Sequence, residues 1–256
     1  MRRPNPLKTL FSEGRPALGG WVSLEGTLKT ARTGFDWVLI DLQHGALTLE
    51  SARPLIPVIE AAGPVPLVRV PWNEPSIIMR ALDAGAYGVI VPLVNSRAEA
   101  EAAVAATRYP PEGGRSSGPW RAGYSGIRDY VSWANDEVVC MVMIETREAV
   151  EQVEEIVSVP GVHGVYVGPS DLSLAYGLLP APDQEDAAWN AAIDRILAAC
   201  RAHGVTAGIA GNAQVAEKRY RQGFRFLEVS RDSVAIQSGA KAHLDHIRAA
   251  IDAPGG

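Results

Sequence analysis

Eight short apolar runs punctuate the chain at a regular spacing: "LGGWVS", "WVLIDL", "PLVRVP", "GVIVPLV", "VVCMVMIE", "GVYVGP", "GVTAGIA" and "RFLEVS". Most are continuous rather than alternating, the pattern of strands buried on both faces. Between them lie segments with helical spacing, among them "SARPLIPVIEAAG", "EPSIIMRALDAG", "SRAEAEAAVAATR" and "REAVEQVEEIVSV". Several end at a glycine before the next strand (Gly63, Gly85, Gly204, Gly223), where a residue free to take positive φ closes a helix. Eight β-α units in 256 residues predict a (β/α)₈ TIM barrel filling 1–256 as one domain. A doubly wound sheet would carry fewer strands and often a Gly-rich phosphate turn after the first, and the chain has no GxGxxG. The longest stretch without a clear pattern, "YPPEGGRSSGPWRAGYSGIRDYVSWAND", falls between the fourth helix and the fifth strand. A loop of that length predicts a functional role or an oligomer contact.

Charge and cysteine usage narrow the function classes. The net charge of -5 comes from interspersed acids and bases, with no Lys/Arg run to hold nucleic acid or anionic lipid. No apolar stretch approaches the roughly 20 residues of a membrane span. The N-terminal "MRRPNPLKTLFSEGRPAL" lacks the apolar centre and cleavage site of a signal peptide, so a cytoplasmic location is expected. Cys140 and Cys200 read as reduced core residues rather than a disulfide.

Barrel chemistry sits at the carboxyl ends of the strands. Strand two ends in Asp41 and His44, strand three contains Arg69, strand five ends in Glu145, and strand six runs through "VGPSD" to Asp171. Glu145 and Asp171 suit a hard divalent cation such as Mg²⁺ or Mn²⁺, which favours carboxylate oxygens with water and substrate completing the shell. The alternative is that each caps the helix that follows it. His44 is the one histidine of five placed at the mouth, as catalyst or as a plain loop residue. Arg69, inside an apolar run, needs an anion: a substrate carboxylate or, structurally, Asp41. The four lysines (Lys8, Lys29, Lys218, Lys241) all fall in helical or terminal segments, which leaves none for a Schiff base.

Four motifs, "GFDWVLIDLQHG", "VRVPWNEPSIIMRALDAGAYGVIVPLV", "MIETREAVEQVEEI" and "GVYVGPSDLSLAYG", together resemble the HpcH/HpaI class II aldolases, over about Trp21 to Asp232. The resemblance implies a (β/α)₈ barrel assembled as a hexamer, a trimer of dimers, with the C-terminal helix a candidate for exchange between subunits. It implies a divalent metal (Mg²⁺, Mn²⁺ or Co²⁺) and reversible aldol cleavage of 4-hydroxy-2-oxo acids to pyruvate and an aldehyde. On this resemblance Glu145 and Asp171 are the metal ligands, His44 is the base, and Arg69 stabilises the enolate oxygen. Ser170 and Asp171 lie beside pyruvate, with Ser170 replacing a common alanine. Asp83 falls where the family places an acid that raises the basicity of the histidine. The topology puts Asp83 near a helix end, facing away from its own His44, so a neighbouring subunit or a bent connection would have to bring them together. Met143 departs from the pattern, standing where well-studied members have a glutamine two residues before the metal glutamate.

Two rival readings stay in view: a related lyase acting on a CoA thioester, which would need room for a bulky nucleotide, and a non-catalytic barrel scaffold, which predicts a crippled mouth.

Overall fold

A computed structural model describes residues 4–24 and 27–252, so residues 1–3, 25–26 and 253–256 of the expected 1–256 domain lie outside the described residues. The strands are β1 (Ala17–Val22), β2 (Trp37–Asp41), β3 (Val65–Arg69), β4 (Gly88–Val91), β5 (Val139–Ile144), β6 (Gly164–Val167), β7 (Thr206–Ile209) and β8 (Phe226–Arg231). All pair in parallel, each with its sequence neighbour, and β1 closes on β8. This is the (β/α)₈ barrel that the apolar runs predict.

Helices α1 (Pro6–Ser12) and α2 (Thr27–Ala31) flank the first strand, and α3 (Leu49–Ala62), α4 (Pro75–Asp83) and α5 (Arg97–Thr107) follow β2, β3 and β4. The segment read as patternless contains a 3₁₀ turn (Ala122–Tyr124) and a helix, α6 (Tyr130–Glu137). A short helix with polar residues on its outer side leaves little periodicity, but Trp133 packs edge-on against Tyr87 and anchors it. "REAVEQVEEIVSV" is two helices, α7 (Arg147–Glu151) and α8 (Val153–Val157), parted at Gln152. The rest are α9 (Pro169–Ala175), α10 (Ala187–His203), α11 (Ala213–Gln222) and α12 (Asp232–Asp252).

The foot of the barrel is filled and stoppered. Trp37 stacks on Phe226 with ring centroids 4.2 Å apart, and Phe11 of α1 meets Phe226 edge-on. Gly19 makes room for this: a Cβ there would overlap the Trp37 indole. Asn5, fully buried, donates through Nδ2 to the carbonyls of Tyr87 and Glu137, tying α1 beneath the strands. With that end closed, the carboxyl end is left to hold a site. Both cysteines are buried free thiols. Among the described residues, no helix is long and apolar enough to cross a membrane.

Candidate active site

Strand register does the first part of the assembly. Asp41 and Arg69 are the last residues of β2 and β3 and stand directly opposite one another, so both side chains turn the same way. They form a two-point ion pair, Arg69 Nε to Asp41 Oδ1 at 2.9 Å and Nη2 to Oδ2 at 2.8 Å. Burial works to raise the Asp41 pKa, but the Arg69 hydrogen bonds and charge, with N–H groups donated by Gln43 and His44, hold it below the ordinary value. The structural partner considered for Arg69 is therefore real, and it uses one edge of the fork. Nη1 is left toward Met143, whose Sδ is 3.9 Å away.

Glu145 follows β5 directly and is 2% exposed. Its Oε1 accepts the N–H of Leu93 at 2.8 Å. Leu93 has φ of 52°, an uncommon conformation for a non-glycine residue, and thereby aims its N–H at the carboxylate. Burial pushes Glu145 up to about 7, with the Asp171 charge adding to the rise and Leu93 and Arg69 opposing it. Gly168 gives the other oxygen its room, since a Cβ there would overlap Glu145 Oε2. Asp171 and Ser170 sit in the first turn of α9, on the mouth side.

Two adjoining cavities share His44 and Asp171. The larger, of about 400 Å³, is also lined by Trp21, Arg69, Met143 and Ser170; the smaller also by Gln43, Leu93 and Glu145. The mouth therefore brings together His44, Arg69, Met143, Glu145, Ser170 and Asp171. Asp83 is elsewhere. At the end of α4 it pairs with the buried Arg115 at 2.7 Å, beside a cavity lined by Leu49, Arg80 and Trp120. Within this chain the fold does not bring it to His44.

The two carboxylates are the donors available for a cation, since the described residues hold no cluster of three or more His, Cys, Asp or Glu side chains suited to a metal. Two suffice for a hard divalent ion that keeps several waters and takes oxygens from its substrate. Gln43 Oε1, buried without a hydrogen-bond partner among the described residues in the same smaller cavity, is a ready acceptor for such a water. The site fits the group.

Residues that sequence reasoning passed over also line the larger cavity: Trp21 of β1, and Glu228 and Arg231 of β8. The signal was an acid and a base within an apolar run, the same signal that drew attention to Arg69.

Residues 25–238 match the family model for HpcH/HpaI aldolase/citrate lyase. The chain belongs to this family. A hydroxypyruvate/pyruvate aldolase of Rhizorhabdus wittichii is 41% identical over 249 residues, spanning 96% of this chain and 99% of that protein. A 5-keto-4-deoxy-D-glucarate aldolase of Escherichia coli is 35% identical over 248 residues, 94% of this chain and 96% of that protein. The crystal structure of an HpcH/HpaI aldolase/citrate lyase family protein from Burkholderia cenocepacia superposes with a TM-score of 0.88 at 33% identity, covering 95% of this chain and 99% of that one. Like its HpcH/HpaI relatives, the chain is an aldolase, a carbon–carbon lyase.

Proposed function

We propose that the chain catalyses metal-dependent, reversible aldol cleavage of 4-hydroxy-2-oxo acids, releasing pyruvate or a close 2-oxo acid and an aldehyde. The observation that carries this reading is the convergence of the Asp41-anchored Arg69, the buried Glu145 and Asp171 on one mouth, while none of the four lysines lines either cavity. A divalent cation (Mg²⁺, Mn²⁺ or Co²⁺) held by Glu145 and Asp171 would supply Lewis-acid polarisation of the 2-oxo acid.

The remaining work falls to the chain's own groups. Arg69, fixed by Asp41, keeps Nη1 available where negative charge grows on the enolate oxygen as the C3–C4 bond breaks. Preorganisation is the point, because a guanidinium already held in place needs no reorientation during the step. His44, whose ring makes no hydrogen bond among the described residues, takes the proton of the 4-hydroxyl in the cleavage direction. Ser170, beside Asp171 at the start of α9, positions the donor acid through its backbone N–H. Asp83 would serve His44 only from a neighbouring copy, and we place the chain in the cytoplasm as a homo-oligomer, a hexamer. The apolar face of α12, which carries Ile236, Leu244, Ile247 and Ile251, is exposed in the single chain and would be covered there, whether by packing or by exchange between subunits.

Chelation tests the reading. Prolonged treatment with a chelator is expected to abolish pyruvate release from a 4-hydroxy-2-oxo acid, and Mg²⁺, Mn²⁺ or Co²⁺ to restore it. Borohydride with pyruvate is expected to trap nothing. A reduced adduct on any lysine, or full activity after verified metal removal, overturns it.

A further inference from the structure

We propose that Arg231 is a specificity-determining residue that receives a carboxylate carried by the aldehyde partner, making anionic aldehydes the preferred acceptors. The inference rests on the aldol reading above and names its second substrate.

The geometry begins with an irregular strand. Glu228 and Arg231 are three residues apart, and a regular strand would send them to opposite faces. Pairing between β1 and β8 shifts register at Gly19/Gly20, with Gly19 opposite Glu228 and Gly20 opposite Ser230. The extra residue turns both side chains to the barrel interior, as bulges beside active sites do. Glu228 is 1% exposed and accepts from the Tyr166 hydroxyl and the Gly211 N–H, both at 3.2 Å. Its carboxylate also takes Nε of Arg231 at 3.1 Å and Nη2 at 3.4 Å. That consumes one edge of the guanidinium. Nη1 has no acceptor among the described residues, and the side chain, 34% exposed, lines the same cavity as His44, Arg69 and Ser170.

Trp21 ties the two arginines together. Arg69 lies 4.3 Å and Arg231 4.6 Å from the centroid of its ring, and the indole N–H is buried without an acceptor among the described residues. Each guanidinium is thus held the same way, by a buried carboxylate on one edge and an aromatic face beneath. A pair serving only to neutralise Glu228 would account for the occupied edge. It would not account for a second, open edge in a cavity that already holds the donor's arginine. Arg69 and the carboxylates Glu145 and Asp171 form the donor end, so Arg231 is a separate pole for the acceptor's charge. A product with an acid at each end would span the two.

The test is condensation of pyruvate, by the metal-loaded full chain, with glyoxylate or succinic semialdehyde against glycolaldehyde or propanal. The wild type is expected to favour the carboxylate-bearing aldehydes in kcat/KM. Arg231→Gln is expected to cut the charged-over-neutral ratio by about tenfold or more, the effect of one charge-assisted hydrogen bond, mainly through the KM of the charged aldehyde. Arg231→Lys should recover part of it. Because Arg231→Gln leaves Glu228 buried and unpaired, the double variant Arg231→Gln/Glu228→Gln repeats the measurement without that burden and should show the same lost ratio. An equal fall for charged and neutral aldehydes, a rise confined to the KM of pyruvate, or no change in the ratio overturns the assignment. Failure of the wild type to condense pyruvate with any aldehyde is a different result: it sinks the aldol reading itself, and the inference with it.

Discussion

Gly168 lies against the carboxylate of Glu145, and Met143 against the guanidinium of Arg69. At Gly168 even one methyl would overlap Glu145 Oε2 and approach Met143 Cε to 3.0 Å. Gly168→Ala is therefore expected to displace the carboxylate and raise the metal dissociation constant by about tenfold or more, measured by titration calorimetry. An unchanged constant would put the cation elsewhere. Met143 offers Arg69 a flexible thioether where an amide would offer a hydrogen bond, and on the aldol reading proposed above this would relax the donor site toward bulkier acids such as hydroxypyruvate. Met143→Gln is expected to shift the kcat/KM ratio of pyruvate over hydroxypyruvate toward pyruvate by up to about tenfold. A ratio that stays put, with metal affinity intact, removes Met143 from donor choice. These two residues, like Arg69 and His44, stand at strand ends where a sequence can be read directly. Glu228 and Arg231 stood out as charges in an apolar run, but that they share one side was not legible, because only a register shift in the folded barrel turns residues of odd spacing the same way.

Strands were more legible than helices, for a physical reason. A barrel strand is buried on both faces, so β5 reads as "VCMVMI" with every residue buried. A short outer helix such as α6 needs only three buried positions, Tyr130, Trp133 and Ala134, too few to stand out. The junction of β5 and β6 also holds a titrating group. His163, just before β6, accepts the N–H of Cys140 through Nδ1 at 3.2 Å. Burial, with the charges of Arg108 and Lys8, pulls its pKa down to about 3, outweighing the backbone bonds at Cys140 and Gly161. A folded pKa below the unfolded value of about 6.5 means its contribution is fully present above that pH and is lost as pH falls toward 3. The loss is on the order of 1 kcal/mol per pH unit. In His163→Asn, which keeps an acceptor without the titration, the melting temperature is expected to fall less steeply between about pH 6.5 and pH 4. Parallel curves for the two proteins would clear His163 of any part in acid sensitivity.

At the scale of the whole molecule, α12 stands apart. From Val234 onward its described residues are exposed, and Ile236, Leu244, Ile247 and Ile251 recur at helical spacing along one side. If the proposed hexamer is held through this face, Leu244→Glu with Ile247→Glu is expected to give smaller species than the unchanged chain by light scattering while leaving the barrel's far-ultraviolet signal unchanged. A hexamer that survives both charges would place the contact on another face. The (β/α)₈ plan was legible in the sequence as a whole because each unit repeats the same pattern, whereas the exposure of the α12 face was not, since an apolar helix face looks like a core face until the fold shows it uncovered. The closure of β1 on β8 is reinforced by Asp232, whose carboxylate accepts the N–H groups of Ser23 and Leu24 and the Ser23 hydroxyl, across 209 residues in the case of Ser23. A clasp of that span cannot form until the chain has been made through Asp232 and that residue has left the ribosome. Until then β1 has a bare edge, able to pair with any other unfinished strand nearby, so the growing chain is most exposed to aggregation in the interval before its last strand arrives.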